Sequence, residues 1–297
     1  MALESRKTAA MPVIGFLNSG SEGAFQQSVA AFNLGLNESG YLDGKNVEVR
    51  YAWADGNYGI LPKVAADLVS KGVDVLAASG GVTCALAART AAPKIPILYV
   101  CGFDPADKRI GFDGNATGVN LHNTKLLSQR FDLFCQLLGH ANVVLLLNPG
   151  AFLTQARIEQ DELPKIPVIN ASTDAELEQR SVEAQKAGIA ILVGPDSFFT
   201  SRRDFIVALE KKYKVPAAYP FRECAEAGGL MSYGPSLTNP YRQLGIYVAL
   251  VLDQVKLADL PVTETSNFEI VINTRTAKAH ALNIPPGLLA RADKIIN

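Results

Sequence analysis

Short apolar runs alternate with amphipathic segments along the first part of the chain. The runs PVIGFL, VDVLAAS and IPILYV are each followed by glycine within three residues. Such runs, bounded by turn residues, predict buried strands. Between them, apolar positions recur with helical spacing in EGAFQQSVAAFNLGLNESG, NYGILPKVAADLVSKG and TCALAARTAA. Strands that alternate with helices indicate a parallel sheet covered by helices, so we predict the α/β class.

The alternation restarts after a polar, glycine-bearing stretch at residues 114–123, GNATGVNLHN. Helical patterns in TKLLSQRFDLFCQLLG, DAELEQRSVEAQKAG and SRRDFIVALEKKY alternate with strand patterns in NVVLLLNPG, KIPVINAS, IAILVGPD and PAAYP. A short helix is expected near residues 153–162. Because a chain of 297 residues is long for one core, we predict two doubly wound, Rossmann-like lobes.

Composition and charge describe an ordinary globular protein. Hydrophobic residues make up 48% of the chain and charged residues 19%, with a formal net charge of −1. No basic block is present, so nothing indicates nucleic acid or an anionic membrane surface as a partner. No run of about 18 apolar residues indicates a membrane-spanning helix. Residues 1–10, MALESRKTAA, lack the apolar stretch of a signal peptide, and we expect a leader or disordered tail there.

Cysteine and histidine are too few and too scattered for a zinc site or a disulfide scaffold. The cysteines at 84, 101, 135 and 224 form no C-x-x-C pair, and only three histidines occur. We therefore predict no metal site and no cofactor. Cys84 and Cys101 fall at one edge of neighbouring predicted strands. A bridge between them and two reduced, buried thiols remain alternative interpretations.

Candidate binding residues follow the predicted strands. In doubly wound sheets, ligands bind outside the carboxyl ends of the strands, and two lobes that face each other with such ends would line one cleft. Small hydroxyl groups, acids and aromatic rings at these positions suit a zwitterionic or aromatic small molecule. The candidate ligand-binding residues are Ser19, Ser79, Gly80, Gly81, Thr83, Cys101, Phe103, Asp104, Asp196, Phe198, Phe221, Glu223 and Tyr233.

The glycine turn Ser79-Gly80-Gly81 lies between a predicted buried strand and a predicted helix. It lacks the lysine of a P-loop and does not match G-x-G-x-x-G, which argues against a nucleotide phosphate. Free N–H groups at a helix start still favour an anion, such as the carboxylate of an amino acid. The alternative is that the glycines only shape the turn. Ser79 is the better candidate for direct contact with a ligand.

Three acids are candidate partners for a ligand ammonium group. Asp196 follows a buried strand and precedes Ser197, so capping a helix and binding a ligand are both open to it. Glu223 and Asp104 also lie at predicted strand ends, where pairing with Arg222 is the alternative. A buried ammonium without a carboxylate would be costly, so at least one acid should face it. The rings that could stack on an aromatic ligand are Trp53, Phe103, Phe198, Phe221 and Tyr233.

Several long blocks of the sequence resemble one family. They are PVIGFLNSGS, YAWADGNYGILPKVAADLV, VGPDSFFTSRRDFIVAL, FRECAEAGGLMSYGPS, YRQLGIY and FEIVINTRTAKAHALNIPPGLLARADKII. These blocks, which span nearly the whole chain from about residue 12, resemble the solute-binding proteins of ABC importers, in the branch that includes tryptophan-binding proteins. The resemblance implies a type I periplasmic binding protein fold, no enzymatic activity, and capture of a small molecule by lobe closure. It also implies a periplasmic monomer that serves a permease in the inner membrane.

The family's fold and the order of the predicted elements together give lobe boundaries. We expect lobe 1 to comprise residues 11–118 and 236–262, and lobe 2 residues 119–235 and 263–297. Three strands near 118, 235 and 263 should join them as a hinge. Between residues 148 and 171 the chain is shorter than the family pattern, so we expect a reshaped cleft wall there.

Two other classes of protein share parts of this pattern. A hydrolase would need a nucleophile with a histidine base, yet His122, His140 and His280 do not fall at predicted strand ends and no G-x-S-x-G elbow is present. A sugar-type transcription regulator would need a helix-turn-helix headpiece, for which about ten residues before the first strand are too few. We therefore expect a binding protein for an amino acid, aromatic rather than aliphatic. Another small aromatic solute, such as an aromatic acid, purine or nucleoside, is the alternative ligand.

Overall fold

The computed structural model describes residues 11–102, 114–123, 126–151 and 166–297, which form two mostly parallel sheets flanked by helices. The strands are β1 Val13–Asn18, β2 Glu48–Trp53, β3 Val75–Ser79, β4 Ile97–Cys101, β5 Ala116–Asn120, β6 Val143–Leu147, β7 Val168–Asn170, β8 Ala190–Val193, β9 Ala217–Tyr219, β10 Met231–Pro235, β11 Thr263–Glu264, β12 Phe268–Asn273 and β13 Lys294–Ile296. The helices are α1 Gln26–Glu38, α2 Leu61–Ser70, α3 Val82–Ala91, α4 Leu127–Leu138, α5 Asp174–Ala187, α6 Ser197–Ser201, α7 Arg203–Tyr213, α8 Arg222–Glu226, α9 Thr238–Leu252, α10 Thr274–Ala279 and α11 Pro286–Leu289. The helix expected near 153–162 lies outside the described residues.

Sheet topology confirms the predicted α/β class with two doubly wound lobes. Within the described residues, the first sheet has the order β2-β1-β3-β4-β5-β11, and every neighbouring pair is parallel. The second has the order β7-β6-β8-β9-β10-β12-β13, in which the β10–β12 pair is antiparallel and the described remainder parallel. Every residue of β3, β4 and β6 is buried, which is why these strands read as nearly continuous apolar runs.

The chain passes between the two sheets three times. β5 lies wholly in the first sheet, and α4 after it contacts β10 of the second. After β10, α9 returns to pack on α1, β3, β4 and β5. β11 then pairs with β5, whereas β12 pairs with β10. We call the first sheet with its helices lobe 1 and the second sheet with its helices lobe 2, and we propose the three crossings as the hinge.

Helices α1 and α9 approach closely enough for their backbones to touch. A Cβ added to Gly245 would overlap the carbonyl oxygen of Phe32 and would lie 2.9 Å from the main-chain nitrogen of Leu36. A Cβ added to Gly35 would likewise overlap the carbonyl oxygen of Arg242. Glycine at both positions therefore lets α9, which the chain reaches only by crossing from lobe 2, complete the apolar core of lobe 1.

Candidate functional site

A cavity lies between the lobes, at the carboxyl ends of the strands, which is where doubly wound sheets bind ligands. Its volume is about 590 Å³, which includes space open to solvent. Five of the residues predicted from the sequence line it, namely Gly80, Gly81, Cys101, Asp196 and Phe221. Because both lobes contribute to its wall, the cavity is complete only when the lobes are together.

The lobe 1 wall contains the amino-terminal end of α3. Gly80 and Gly81 have φ angles of 87° and 114°, which favour glycine, and Gly81 is the N-cap of the helix. A Cβ added to Gly80 would lie 2.5 Å from Ser19 Oγ, so this position also lacks space for a side chain. The N-cap Gly81 has no side chain to cap α3. The N–H of Cys84 donates to the carbonyl oxygen of Gly81 at 3.2 Å, whereas the N–H groups of Val82 and Thr83 come before the first acceptor that the helix can offer them. This end of the cavity therefore favours an anion.

Two predicted serines hold the glycine turn in place rather than line the cavity. Ser79 is fully buried, and its Oγ accepts a hydrogen bond of 2.9 Å from Asn18 Nδ2. Ser19 Oγ donates to the carbonyl oxygen of Gly80 at 2.6 Å and lies 2.6 Å from Ser197 Oγ of lobe 2. Their hydroxyl groups thus fix the position of the α3 terminus, and Ser19 adds a contact between the lobes.

On the lobe 2 wall, Asp196 combines the two roles that the sequence left open to it. It caps α6, because its Oδ1 accepts from the main-chain N–H of Phe198 at 2.8 Å. Oδ1 also accepts from Asn148 Nδ2 at 3.2 Å, and Oδ2 accepts from the hydroxyl of Tyr58 at 2.9 Å. Burial raises the pKa of Asp196, whereas these hydrogen bonds oppose that rise. The residue lines the cavity, where its carboxylate is a candidate partner for a cation.

Aromatic rings form much of the apolar lining, and sequence reasoning found only one of those that the structure describes. Phe221 was predicted, whereas Phe25 and Tyr241 were not, because they lie in segments that have an ordinary helical pattern. The rings of Phe25 and Tyr241 lie 6.4 Å apart. Trp53, another candidate ring, packs on Phe16 and Phe25 in the core of lobe 1.

Four other predicted residues do not line the cavity. Thr83 lies in the first turn of α3, and Phe198 packs edge-on against Phe199 under Arg202. Tyr233 donates to Gln129 and packs against Phe268. Glu223 follows the end of β9, in the first turn of α8, and lines a second cleft between the lobes with Gln26 and Arg203. Phe103 and Asp104 lie outside the described residues.

Asn123 is a polar cavity residue that the sequence reasoning missed. It lines the cavity beside the crossing that follows β5, and only 4% of its surface is exposed. Its Oδ1 has no hydrogen-bond partner among the described residues. The only feature of the sequence that pointed to Asn123 is its place in the polar stretch GNATGVNLHN. That stretch indicates where the first lobe gives way to the second, but it does not show which way a side chain points.

Cysteine and histidine supply little chemistry at this site. No disulfide joins the four cysteines, all of which lie in the described residues; Cys84 lies on α3 and donates to the carbonyl oxygen of Leu17. His122 follows the end of β5 by two residues, contrary to expectation, and its Nε2 lies 3.4 Å from Glu264. In the part of the chain that the structure describes, no group of three or more potential ligands could hold a metal ion.

The two lobes contact each other directly beside the cavity. Most of these contacts join α6 and the start of α7 to the loops that follow β1 and β2. The hydrogen bonds between described residues include Ser19 Oγ to Ser197 Oγ at 2.6 Å, Ser21 N to Ser201 Oγ at 3.0 Å, Tyr58 OH to Asp196 Oδ2 at 2.9 Å and to Ser197 Oγ at 3.0 Å, Arg202 Nη1 to Asp55 O at 2.7 Å and Arg203 Nη1 to Ala24 O at 2.8 Å. The structure therefore has its lobes closed.

Comparison with known proteins assigns the chain to a family. Residues 14–296 match the family described as ABC transporter substrate binding protein, and the chain belongs to this family. A tyrosine-binding protein of Clostridioides difficile (strain R20291) is 23% identical over 257 residues, which cover 82% of this chain and 73% of the relative. A conserved domain protein from Vibrio cholerae superposes with a TM-score of 0.85 at 22% identity, covering 96% of this chain and 99% of the other. An ABC domain from Streptococcus pneumonia in complex with L-Trp superposes with a TM-score of 0.80 at 23% identity and the same coverage.

Family membership defines the general role of the cavity. Members are extracytoplasmic solute-binding proteins, a class without enzymatic activity, which bind a small molecule and work with an ABC permease. Within the described ranges, no helix is both long and apolar enough to cross a membrane. The cavity between the lobes is therefore the candidate solute site.

Proposed function

We propose that this protein captures an aromatic amino acid for import, with the ligand enclosed between the lobes. The observation that carries the proposal is the cavity itself, which has a helix amino terminus on one wall, an acid on the other and aromatic rings between them. The ligand carboxylate lies at Gly80, Gly81 and the first turn of α3. Its ammonium group meets Asp196, and its ring lies among Phe25, Phe221 and Tyr241.

The charges of the cavity support a zwitterion. Asp196 is the acidic residue on the wall, and no lysine or arginine lines the part of the wall formed by described residues. A ligand carboxylate then depends on main-chain N–H groups and the helix dipole, which stabilise a negative charge without a cationic side chain. A cationic ligand group left without Asp196 would be costly to bury. The two walls therefore select opposite charges on one small molecule.

The relatives support the aromatic part of the proposal. One is named for tyrosine binding and another was solved with L-Trp. Phe25, Phe221 and Tyr241 line the cavity, and aromatic pairs add about 0.5–1.5 kcal/mol beyond the area that they bury. We also propose that the protein is periplasmic and monomeric, and that it delivers its ligand to a permease in the inner membrane.

The test is calorimetry with ligands that differ by one group. L-tryptophan, L-tyrosine and L-phenylalanine should bind more tightly than L-leucine. 3-Phenylpropionate lacks the ammonium group and 2-phenylethylamine lacks the carboxylate, so each should bind about 10- to 100-fold more weakly than L-phenylalanine, the factor expected for one charge-assisted hydrogen bond. Tighter binding of an aromatic acid, a purine or a nucleoside would reject the amino acid and retain the solute-binding role.

A further inference from the structure

Tyr58 contacts the carboxylate of Asp196 from the opposite lobe. It lies between β2 and α2 of lobe 1, it is half-buried, and it is not part of the cavity wall. Its hydroxyl donates to Asp196 Oδ2 at 2.9 Å and lies 3.0 Å from Ser197 Oγ. Its ring is held in place on Gly150, where an added Cβ would lie 2.9 Å from Tyr58 Cδ2. The hydroxyl therefore contacts the acid although Tyr58 does not line the cavity.

The two oxygens of Asp196 differ in where their donors come from. Oδ1 takes both of its hydrogen bonds from lobe 2, from the N–H of Phe198 and from Asn148 Nδ2. Oδ2 takes its hydrogen bond from Tyr58 of lobe 1. The main-chain N–H of Phe199, also from lobe 2, contacts the carboxylate as well. Among the described residues, Tyr58 is therefore the donor that lobe 1 supplies to this carboxylate, which lines the cavity where a ligand cation can approach it.

We propose that Tyr58 is a positioning residue, which orients Asp196 Oδ2 toward the ligand ammonium group and does so only when the lobes close. The proposal rests on the proposed function, because it assigns that ammonium group to Asp196. The hydrogen bond from Tyr58 joins the lobes, so separation of the lobes removes it. Closure thus supplies the last protein donor to the acid at the moment when the ligand cation needs an ordered, ionised partner.

The surroundings of Asp196 make this contribution measurable as a pH effect. Burial raises the pKa of Asp196. Among the contacts that lower this pKa, the hydrogen bond from Tyr58 has the largest effect. The pKa of Tyr58 itself is raised well above its usual value by burial and by Asp196, so the phenol stays a donor at neutral pH. The other ionisable side chains on the elements packed here are Asp55, which is exposed, and Arg202 and Asp174, which pair with each other at 3.2 Å.

The test is Tyr58→Phe, which keeps the ring on Gly150 and removes the hydroxyl. Calorimetry with L-phenylalanine should show a loss of affinity of several-fold at pH 8. Affinity requires ionised Asp196, so in both proteins it should fall as the pH is lowered through the pKa of that acid. Without the hydroxyl this pKa rises further, so the fall should begin at a higher pH in Tyr58→Phe. 3-Phenylpropionate, which has no ammonium group, should lose only the smaller factor that the broken contact between the lobes costs any ligand, and the pH dependence of its binding should be the same in both proteins.

Ser201→Ala is the matched control. It removes the hydrogen bond from the N–H of Ser21, which joins the lobes without touching Asp196. This variant should lose affinity by the same factor at every pH and for both L-phenylalanine and 3-phenylpropionate. If Tyr58→Phe behaves in the same way, Tyr58 is only a contact between the lobes and the proposal is overturned while the proposed function stands. If the wild-type protein binds 3-phenylpropionate as tightly as L-phenylalanine, the ammonium site and the role of Tyr58 both fall.

Discussion

At the residue scale, Asp196 has a structural role and a proposed binding role that one substitution can separate. Asparagine is as good an N-cap as aspartate, so Asp196→Asn should keep α6 and change the free energy of unfolding by less than about 1 kcal/mol. Its amide can still accept from Phe198 and Asn148 through oxygen and can donate to Tyr58 through nitrogen. The charge is lost, and we expect calorimetry to show affinity for an aromatic amino acid about 10- to 100-fold lower.

The control for this substitution is Asp204→Asn, on the exposed side of α7. It makes the same chemical change in the same lobe, outside the cavity wall, and should leave affinity within about twofold of wild type. Wild-type affinity in Asp196→Asn would remove this acid from the ligand site. It would then direct attention to Asn123, whose Oδ1 lacks a partner among the described residues.

A site residue could be predicted from the sequence only where a strand end places it at the cavity. Gly80, Cys101 and Asp196 lie at or just after strand ends, so the rule for doubly wound sheets finds them in the sequence. The same rule selects Ser79, which the fold uses to hold the turn, because it gives a position but no side-chain direction. Tyr58 and Tyr241 come from a loop and a helix, and nothing in their local pattern shows that the tertiary fold brings them to the site.

At the element scale, the contact between α1 and α9 packs the returning segment of lobe 1 against the segment with which the lobe begins. Gly245→Ala would push a methyl group into the carbonyl oxygen of Phe32, so the helices must separate. We expect a loss of about 1–3 kcal/mol in the free energy of unfolding, measured with urea. Gly287→Ala is the control, because a Cβ there meets nothing within 4 Å. Equal effects of the two substitutions would contradict the proposed close packing.

A buried polar network joins α7, β9 and α10 of lobe 2, away from the cavity. Glu210 accepts from Tyr219 OH at 2.6 Å and lies 3.2 Å from His280 Nε2. Glu210→Ala leaves both partners buried without it, and we expect unfolding to require about 2–4 kcal/mol less. Glu178→Ala, which breaks an exposed pair with Lys212, should cost less than about 1 kcal/mol. Ligand affinity should change in neither variant. If Glu210→Ala loses no more stability than Glu178→Ala, the network contributes little to the stability of lobe 2.

Element prediction succeeded where burial dictates the sequence. Strands buried on both faces must be apolar, so β3, β4 and β6 could be located from the sequence alone. The helix α8 could not be located, because five residues are too few to show a helical period. Glu223, in the first turn of this helix, lines a second cleft between the lobes and not the cavity.

At the scale of the whole molecule, the direct contacts between the lobes bear on how closure works. Each hydrogen bond between the lobes stabilises the closed state by about 0.5–1.5 kcal/mol, because its donor and acceptor give up hydrogen bonds to water when it forms. Such a sum is comparable with the entropy of ordering the hinge and the side chains at the interface. The free protein should therefore exchange between open and closed states, and a ligand that contacts both walls of the cavity shifts this balance toward the closed one.

X-ray scattering tests this balance on the intact protein. Saturating L-tryptophan should lower the radius of gyration of the wild-type protein, because contacts from both walls are complete only when the lobes are closed. The double substitution Ser201→Ala with Arg202→Ala removes two hydrogen bonds between the lobes and leaves the cavity wall unchanged. We expect the free variant to be larger than free wild type and to bind several-fold more weakly, since the ligand must also close the lobes. At saturation, both proteins should reach the same radius. A radius that stays constant as wild type is saturated would mean that the ligand enters without hinge closure.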